Sequence, residues 1–491
     1  MASVICVTAF AADNNTIQEP AADIVLRATA LKRDGKTIEL IGDYKNFEDG
    51  WNAAMEIAES SSTMRSKNYD RIIVDIYKDW VATDGVFTDD WWSNGPGFDW
   101  DTIYFPDDSR VTLNLNGHTI DRDLQTWEID GEVLHIDEDA DVIINNGTVT
   151  GGWSRNGGGG IYLDDDAKLV LNDVHIKDNI ADIDCGGGIS ICSGATLIMN
   201  GGSFEDNVAD SGFFEDFLDA FGGAIYAEKA TINLTNVEFK NNRVVNRNTH
   251  GAAIYATYCE INMDKCTVVG NGKNDEEPKK AANSIFFLRD CDVTIKETTF
   301  TDNGTFYWRH SATTSGNPCT DDETSMFWID DTAITLDTCT FTNNKSCFIF
   351  YVYFTNDIYA TDTTFIDNTS VIVPYDYLTE DSYFRNCKFD NNSIPDAGLF
   401  DDGVGHDFYS SKATFYDCDF GDSTTFGVEK PNIVDSDAPD GATGSILGEG
   451  SITMIVAILA LVTSVAAVVV NVYTSKKKLV PANNADESEE E

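Results

Sequence analysis

The 491-residue chain is 42% hydrophobic with only 10 prolines, enough apolar mass for a sizeable core and too little proline for a chain that is mostly linker. A formal charge of −50, from 33 Lys and Arg against 83 Asp and Glu, excludes a nucleic-acid partner, because phosphate-backbone binding needs clustered basic residues. The same balance fits a self-repelling surface protein and leaves room for cation binding.

Residues 1–12 form a short apolar run that turns polar at Asp13, with Ala9-Phe10-Ala11 as a small-x-small cleavage site. They are expected to be the remnant of a secretory signal peptide whose basic start lies upstream, with a short buried N-terminal segment as the alternative. Residues 24–107 are expected to form an α/β cap region. Phe47 to Ala58 carries Trp51, Met55, Ile57 and Ala58 at helical spacing, and Arg71 to Tyr77 reads as a strand. A helix over the open end of a solenoid would cover unpaired backbone that otherwise invites aggregation.

Residues 108–424 repeat one frame: two apolar residues two apart, a third five later, and often Asn three beyond that. Ile232, Leu234, Phe239 and Asn242 give the clearest case, repeated by Val293, Ile295, Phe300 and Asn303. Ile334, Leu336, Phe341 and Asn344 follow, then Ile358, Ala360, Phe365 and Asn368. Leu197, Met199, Phe204 and Asn207 fit as well, and Phe384, Phe389 and Asn392 fit in part. Leu113, Leu115 and Ile120, Val142, Ile144 and Val149, and Leu169, Leu171 and Ile176 extend the frame backwards. Ile261, Met263 and Val268 lie within it, and Ala413, Phe415 and Phe420 end it. Spacing of two is strand periodicity, and the break before the third residue marks a corner. Steps of 24 to 41 residues between third positions are one solenoid coil each, the longer ones carrying insertions. Stacked coils pair in parallel about 4.8 Å apart, so Phe falls over Phe inside the rod. The Asn suits the corner, where it tolerates left-handed geometry and bonds local backbone or the neighbouring Asn.

A second motif opens several coils: Gly158-Gly159-Gly160-Ile161, Gly186-Gly187-Gly188-Ile189, Gly222-Gly223-Ala224-Ile225 and Gly251-Ala252-Ala253-Ile254. Small residues there permit a tight turn and close backbone approach, and the Ile returns to the core. These paired Gly-Gly-Ala-Ile and Phe-x-x-Asn repeats resemble those of the polymorphic outer membrane proteins and related adhesin-like β-helices. The first coil, Leu113-Asn-Leu115-Asn-Gly-His-Thr-Ile120, is similar to the opening coil of pectin-lyase-like β-helices. The resemblance implies an all-β fold, a right-handed parallel β-helix solenoid of about eleven coils, and by analogy an adhesive role. No autotransporter barrel is expected after the rod, and the Gly-rich half fades after the sixth coil.

Residues 425–450 are rich in Gly, Asp, Ser and Pro and are expected to be a flexible stalk. Residues 451–473 carry no charge, and as a helix would measure ~34 Å, enough for a hydrocarbon core of about 30 Å. They are expected to be a single C-terminal transmembrane helix in the plasma membrane. Lys476-Lys477-Lys478 puts the tail, 474–491, in the cytoplasm and the remainder outside.

Cys266, Cys339, Cys387 and Cys418 all stand two before an inward residue and so share a column. Cys387 and Cys418 belong to neighbouring coils, which leaves a disulfide and a pair of buried thiols both open. Without a Cys-x-x-Cys, zinc or redox chemistry has little footing. The acid runs include Asp137-Glu138-Asp139, Asp330-Asp331 and Asp164-Asp165-Asp166; Asp164, Asp165 and Asp166 are the candidate Ca²⁺ ligands, and no other cofactor is expected. Lyases of this fold need a base beside such acids, and hydrolases need paired carboxylates. His406 in Gly405-His406-Asp407 lacks the companions of the hydrolase motif it resembles, and His118 and His175 read as structural. No catalytic residues are assigned. The expected function is a cell-surface adhesin-like, glycan- or protein-binding rod without catalysis; a membrane-anchored polysaccharide lyase or hydrolase and a structural surface-layer component are the alternatives. Trp91-Trp92, Trp100 and Phe306-Tyr307-Trp308 are aromatic groups that could stack on sugar rings or pack in the core and cap.

Overall fold

In the computed structural model, residues 18–434 are described except 83–97, 100–101, 125–130, 156, 183–184, 211–219, 246–248, 274–282, 306–323, 355, 373–377, 393–407, 409–411, 423, 425 and 427–431. The chain winds through parallel strands that form three sheets, here A, B and C. Sheet A takes two sides of each coil. Asp141–Thr150, Lys168–Lys177 and Thr196–Glu205 bend across its corner as single strands, whereas later coils split into pairs such as Thr231–Thr235 and Glu238–Lys240. Sheet B is one strand per coil, from Thr102–Phe105 to Thr369–Val371, entered by the antiparallel Phe98–Asp99. Sheet C is short, with Trp153–Ser154, Ile180–Asp182, Val208–Asp210 and Arg243–Val245.

Parallel register stacks like on like. Val142, Leu169, Leu197, Ile232, Ile261, Val293, Ile334 and Ile358 form one inward column. The third position stacks Ile120, Val149, Ile176, Phe204, Phe239, Val268, Phe300, Phe341, Phe365, Phe389 and Phe420. All but Phe420 are buried, and this continuous apolar interior is the dominant stabilising term.

The first coil corrects the sequence frame. Val111 and Leu113, not Leu113 and Leu115, pair with Val142 and Ile144. Two extra residues enlarge this coil's corner and turn Leu115 into the core. The next coil makes space with Gly147, where a Cβ would lie 2.4 Å from that of Leu115.

The rod also exceeds the expected 108–424. Tyr69–Ile76 pairs in parallel with Arg110–Asn114, and Asn432–Val434 with Thr414–Tyr416. The segment expected as stalk from 425 therefore still adds a strand at 432–434. At the N-terminal end the pairing turns antiparallel: Leu26–Lys32 lies between Ile38–Tyr44 and Tyr69–Ile76. The Phe47–Glu59 helix starts where Asn46 Oδ1 accepts the Asp49 N–H at 2.9 Å, with Glu48 and Asp49 favourably placed in its first turn. Its apolar face buries Trp51 edge-on against Phe105, with ring centres 5.0 Å apart, and sets Phe47 against Trp80.

Among the described residues no helix is long and apolar enough to cross a membrane. The leader at 1–12, the span at 451–473 and the tail at 474–491 lie outside them.

Candidate functional site

The repeat residues are structural. Phe204, Phe239, Phe300, Phe341, Phe365 and Phe389 face inward, and Asn207, Asn242, Asn303, Asn344, Asn368 and Asn392 are buried beside them. The left-handed residue is the one before each Asn, as in Asp206, Asn241, Asp302, Asn343, Asp367 and Asn391, so the corner geometry expected of the Asn belongs to its predecessor. Each Asn instead joins a ladder. Asn303 Nδ2 donates to Asn344 Oδ1 at 3.0 Å and back to the Val268 carbonyl at 2.8 Å. Its Oδ1 accepts Asn271 Nδ2 at 3.1 Å and the Asn271 backbone N–H at 3.0 Å. Donors and acceptors are thus satisfied in a site closed to water. Asn179 and Asn271 extend the ladder. They follow Ile176 and Val268 instead of Phe, which hid them from a Phe-x-x-Asn search, although their offset of three was visible.

The outer face of sheet B carries a column of rings. One outward position stacks Tyr104, His135, Tyr162, Ser190, Tyr226, Tyr255, Phe287, Trp328 and Tyr351 in register. Tyr255 and Phe287 stack at 4.5 Å, and Phe287 and Trp328 at 4.2 Å. Phe221 and His250 back this stack from the preceding corner. The Arg289 guanidinium lies over the Phe287 and Trp328 rings and donates to Asp330 at 3.0 Å. Burial raises the Asp330 pKa against the pull of that arginine. Rings stacked this closely spend their π faces on each other, and Phe287, Trp328 and Tyr351 are buried, so the column is a packed support for the corner beside it.

More exposed rings stand on the corner where sheet B turns into sheet A, with the Lys229 ammonium over Tyr258 and Tyr353 stacked on Trp328 and edge-on to Phe354. The residue there is left-handed in coil after coil: Asp108, Asp139, Asp166, Gly194, Lys229, Tyr258, Asp290, Asp331 and Phe354. Asp and Gly suit that geometry, whereas a bulky aromatic resists it at a cost of about 1–2 kcal/mol. Tyr258 is nevertheless 56% exposed and Phe354 58% exposed, with Tyr353 beside Phe354 at 42%. Neither exposed ring recovers its strain by burial.

The same corner carries the acids in the early coils. Carboxylate oxygens of Asp137 and Asp164 and a ring nitrogen of His135 lie within 4.8 Å of one another. Asp164, Asp165 and Cys192 form a second such group, and Asp107, Asp108 and Asp139 a third. The structure thus brings Asp164 and Asp165 together but puts Asp166 in none of these groups. The neighbouring carboxylates, Asp107 first and then Asp139, Asp164 and Asp165, raise the pKa of the exposed Glu138, a sign of crowded negative charge. His135 is held by Glu132 at 2.8 Å, between the Tyr104 and Tyr162 rings. His118 bonds Asp79 and His175 bonds Ser203. His406, Trp91, Trp92, Trp100 and Phe306-Tyr307-Trp308 lie outside the described residues.

A family model described as the right-handed beta helix region matches residues 103–277 and 279–432, well over half of the chain. The chain belongs to the right-handed beta helix family. No curated protein and no solved structure matches it. Family membership agrees with the parallel register of sheets A, B and C. Four ring members of the column, Tyr104, Tyr162, Tyr226 and Tyr255, sit directly after an inward Ile, so the signal was in the sequence one residue beyond the motif.

Proposed function

We propose that this β-helix is a cell-surface, adhesin-like binding rod that holds an extracellular glycan at the sheet B to sheet A corner, without catalysis. Its export and its anchoring by the 451–473 span follow from the sequence reading, as does the Gly-Gly-Ala-Ile and Phe-x-x-Asn likeness to adhesin-like proteins. The carrying observation is the exposure of Tyr258 and Phe354 in strained backbone at positions that neighbouring coils give to Asp. Strain kept without burial in return points to use. Tyr258 and Phe354 supply exposed ring surface for the C–H faces of sugars, and Arg289, Asp290 and Asp331 supply hydrogen bonds for hydroxyls. A charge of −50 favours a neutral glycan over a polyuronate.

The test is a panel of neutral and acidic glycans against the wild-type chain and a Tyr258→Asn, Phe354→Asn variant. Asn accepts the left-handed geometry, so the variant should unfold no earlier while losing at least tenfold in binding. Unchanged binding, or preference for the acidic glycans, would overturn the reading. Release of reducing or unsaturated sugar from the panel would instead support a lyase or hydrolase.

A further inference from the structure

Two pairs of thiols occupy neighbouring coils: Cys259 and Cys291 at the corner from sheet B into sheet A, and Cys387 and Cys418 at the corner within sheet A. Cys259 and Cys291 immediately precede Glu260 and Asp292, which pair in parallel register. The Cys259 backbone N–H points to Cys291 Sγ at 3.4 Å. Cys387 and Cys418 immediately precede Lys388 and Asp419, which also pair. All four are free thiols, and only Cys418 is not fully buried.

The same columns contain their own controls. Cys266 and Cys339 have threonine in the next coil, and their backbone N–H groups donate to Thr298 Oγ1 at 3.2 Å and Thr363 Oγ1 at 3.3 Å. Thr298, Thr332 and Thr363 each donate to the carbonyl two residues back, at 2.8 to 2.9 Å. The position therefore asks for a short side chain that accepts from one coil and donates locally. Threonine does both with stronger hydrogen bonds than a thiol. A single cysteine is a substitute for it. Cysteine over cysteine adds what threonine cannot: a covalent bond between coils.

We propose that Cys259–Cys291 and Cys387–Cys418 are disulfide-forming sites that staple successive coils of the rod. Parallel neighbours lie about 4.8 Å apart, inside the 4.4–6.8 Å range of Cα separations that disulfides span. The oxidant is a small-molecule disulfide such as oxidised glutathione. One cysteine thiolate attacks a sulfur of it and expels one small thiolate. The second cysteine thiolate then attacks the protein sulfur of that mixed disulfide and expels the other. The two cysteine protons leave with the two released thiols, and the protein gains one S–S bond. At the C-terminal pair Cys418 is the first attacker, being more accessible and held below its usual pKa by the Cys387 thiol. The bridges close loops between residues 32 and 31 apart in sequence, which restricts the unfolded chain.

The extracellular reading fixes only where the oxidant is met, so the test is done in buffer and stands or falls apart from it. The reduced, unfolded full-length chain is refolded in a glutathione buffer poised like the secretory pathway, denatured, alkylated and digested for mass spectrometry. Linked peptides should join Cys259 to Cys291 and Cys387 to Cys418, while Cys266 and Cys339 carry the alkyl group. Reduction should then lower the thermal midpoint by several degrees, and should not do so in a variant with all four residues changed to Thr. Alkylation of all four in the refolded protein, or linkage scrambled onto Cys266 and Cys339, would overturn the proposal.

Discussion

Coils on either side of residue 280 share one register and fill it differently. Before it, the inward residue of sheet B is aliphatic, as in Leu134, Ile161, Ile189, Ile225 and Ile254; after it come Phe286, Phe327 and Phe350. The earlier coils also carry sheet C, whose last strand among the described residues is Arg243–Val245. Glycine explains the link. A Cβ on Gly159 would lie 2.5 Å from the Ile180 carbonyl oxygen, and one on Gly223 would lie 2.4 Å from that of Arg243. Sheet C thus passes so close to the entry into sheet B that side chains are excluded there. Beyond it the register positions of Gly223 and Ala224 become Ala252 and Ala253, then Ser284 and Ile285, and the freed interior is taken by phenylalanine. A β-helix can therefore change its cross-section along its length while the hydrogen-bond ladder stays in step.

The largest effect should come from emptying the aromatic half. Phe341 stacks on Phe300 and Phe365 at 4.4 and 4.8 Å and meets Phe327 and Phe350 edge-on. Rings braced this way cannot collapse into a hole, so Phe341→Ala should cost about 3–5 kcal/mol in urea unfolding, against about 1 kcal/mol for Ile176→Val in the aliphatic half. Similar costs at the two sites would break the comparison.

The asparagine ladder runs through both halves and should ignore the difference. Asn207 and Asn344 make equivalent bonds, each accepting twice from the previous Asn and donating to the next Asn and to a backbone carbonyl. Replacing either with Ala leaves buried donors and acceptors bare, at about 3 kcal/mol. Unequal values would show that the cross-section strains the ladder. Smaller again is the glycine test: Gly187→Ala should cost about 2 kcal/mol, because the Gly223 and Val208 carbonyl oxygens lie 2.5 Å from the new Cβ, whereas Ala252→Gly should cost about 1 kcal/mol.

Sequence periodicity revealed the inward columns because each coil repeats the spacing of two and five, and burial is the strongest constraint on those positions. It misaligned the first coil because Leu115 is apolar and two from Leu113, which mimics the frame while occupying a corner. It gave the left-handed role to the conspicuous Asn, although the preceding Asp or Asn has that geometry. The outer column and the strained corner were not legible as a site. Their members lie a whole coil apart, and only the winding makes Tyr258, Asp290, Asp331 and Phe354 successive. The pair Cys259 and Cys291 escaped for the same reason, since each precedes its strand in a column where no phenylalanine flags the register.

The smallest predicted effect concerns a second, outward ladder confined to the early coils. Asn200 donates to Asn172, Asn172 to Asn145, and Asn145 to Asn114, which donates in turn to Asp75 at 2.8 Å. Burial raises the Asp75 pKa above its usual value, and the bond from Asn114 only partly offsets that. With the folded pKa above the unfolded one, the native state binds the extra proton. Stability should therefore be lower above the folded pKa and recover as pH falls through it towards 3.8. Asp75→Asn keeps an acceptor for Asn114 and removes the buried charge, so it should stabilise the chain slightly at pH 7 and have little effect at pH 3. Urea midpoints of the two proteins compared across that range give the answer. A variant less stable at pH 7 would mean that the carboxylate anchors this ladder, and that the early coils depend on charge where the later ones depend on aromatic packing.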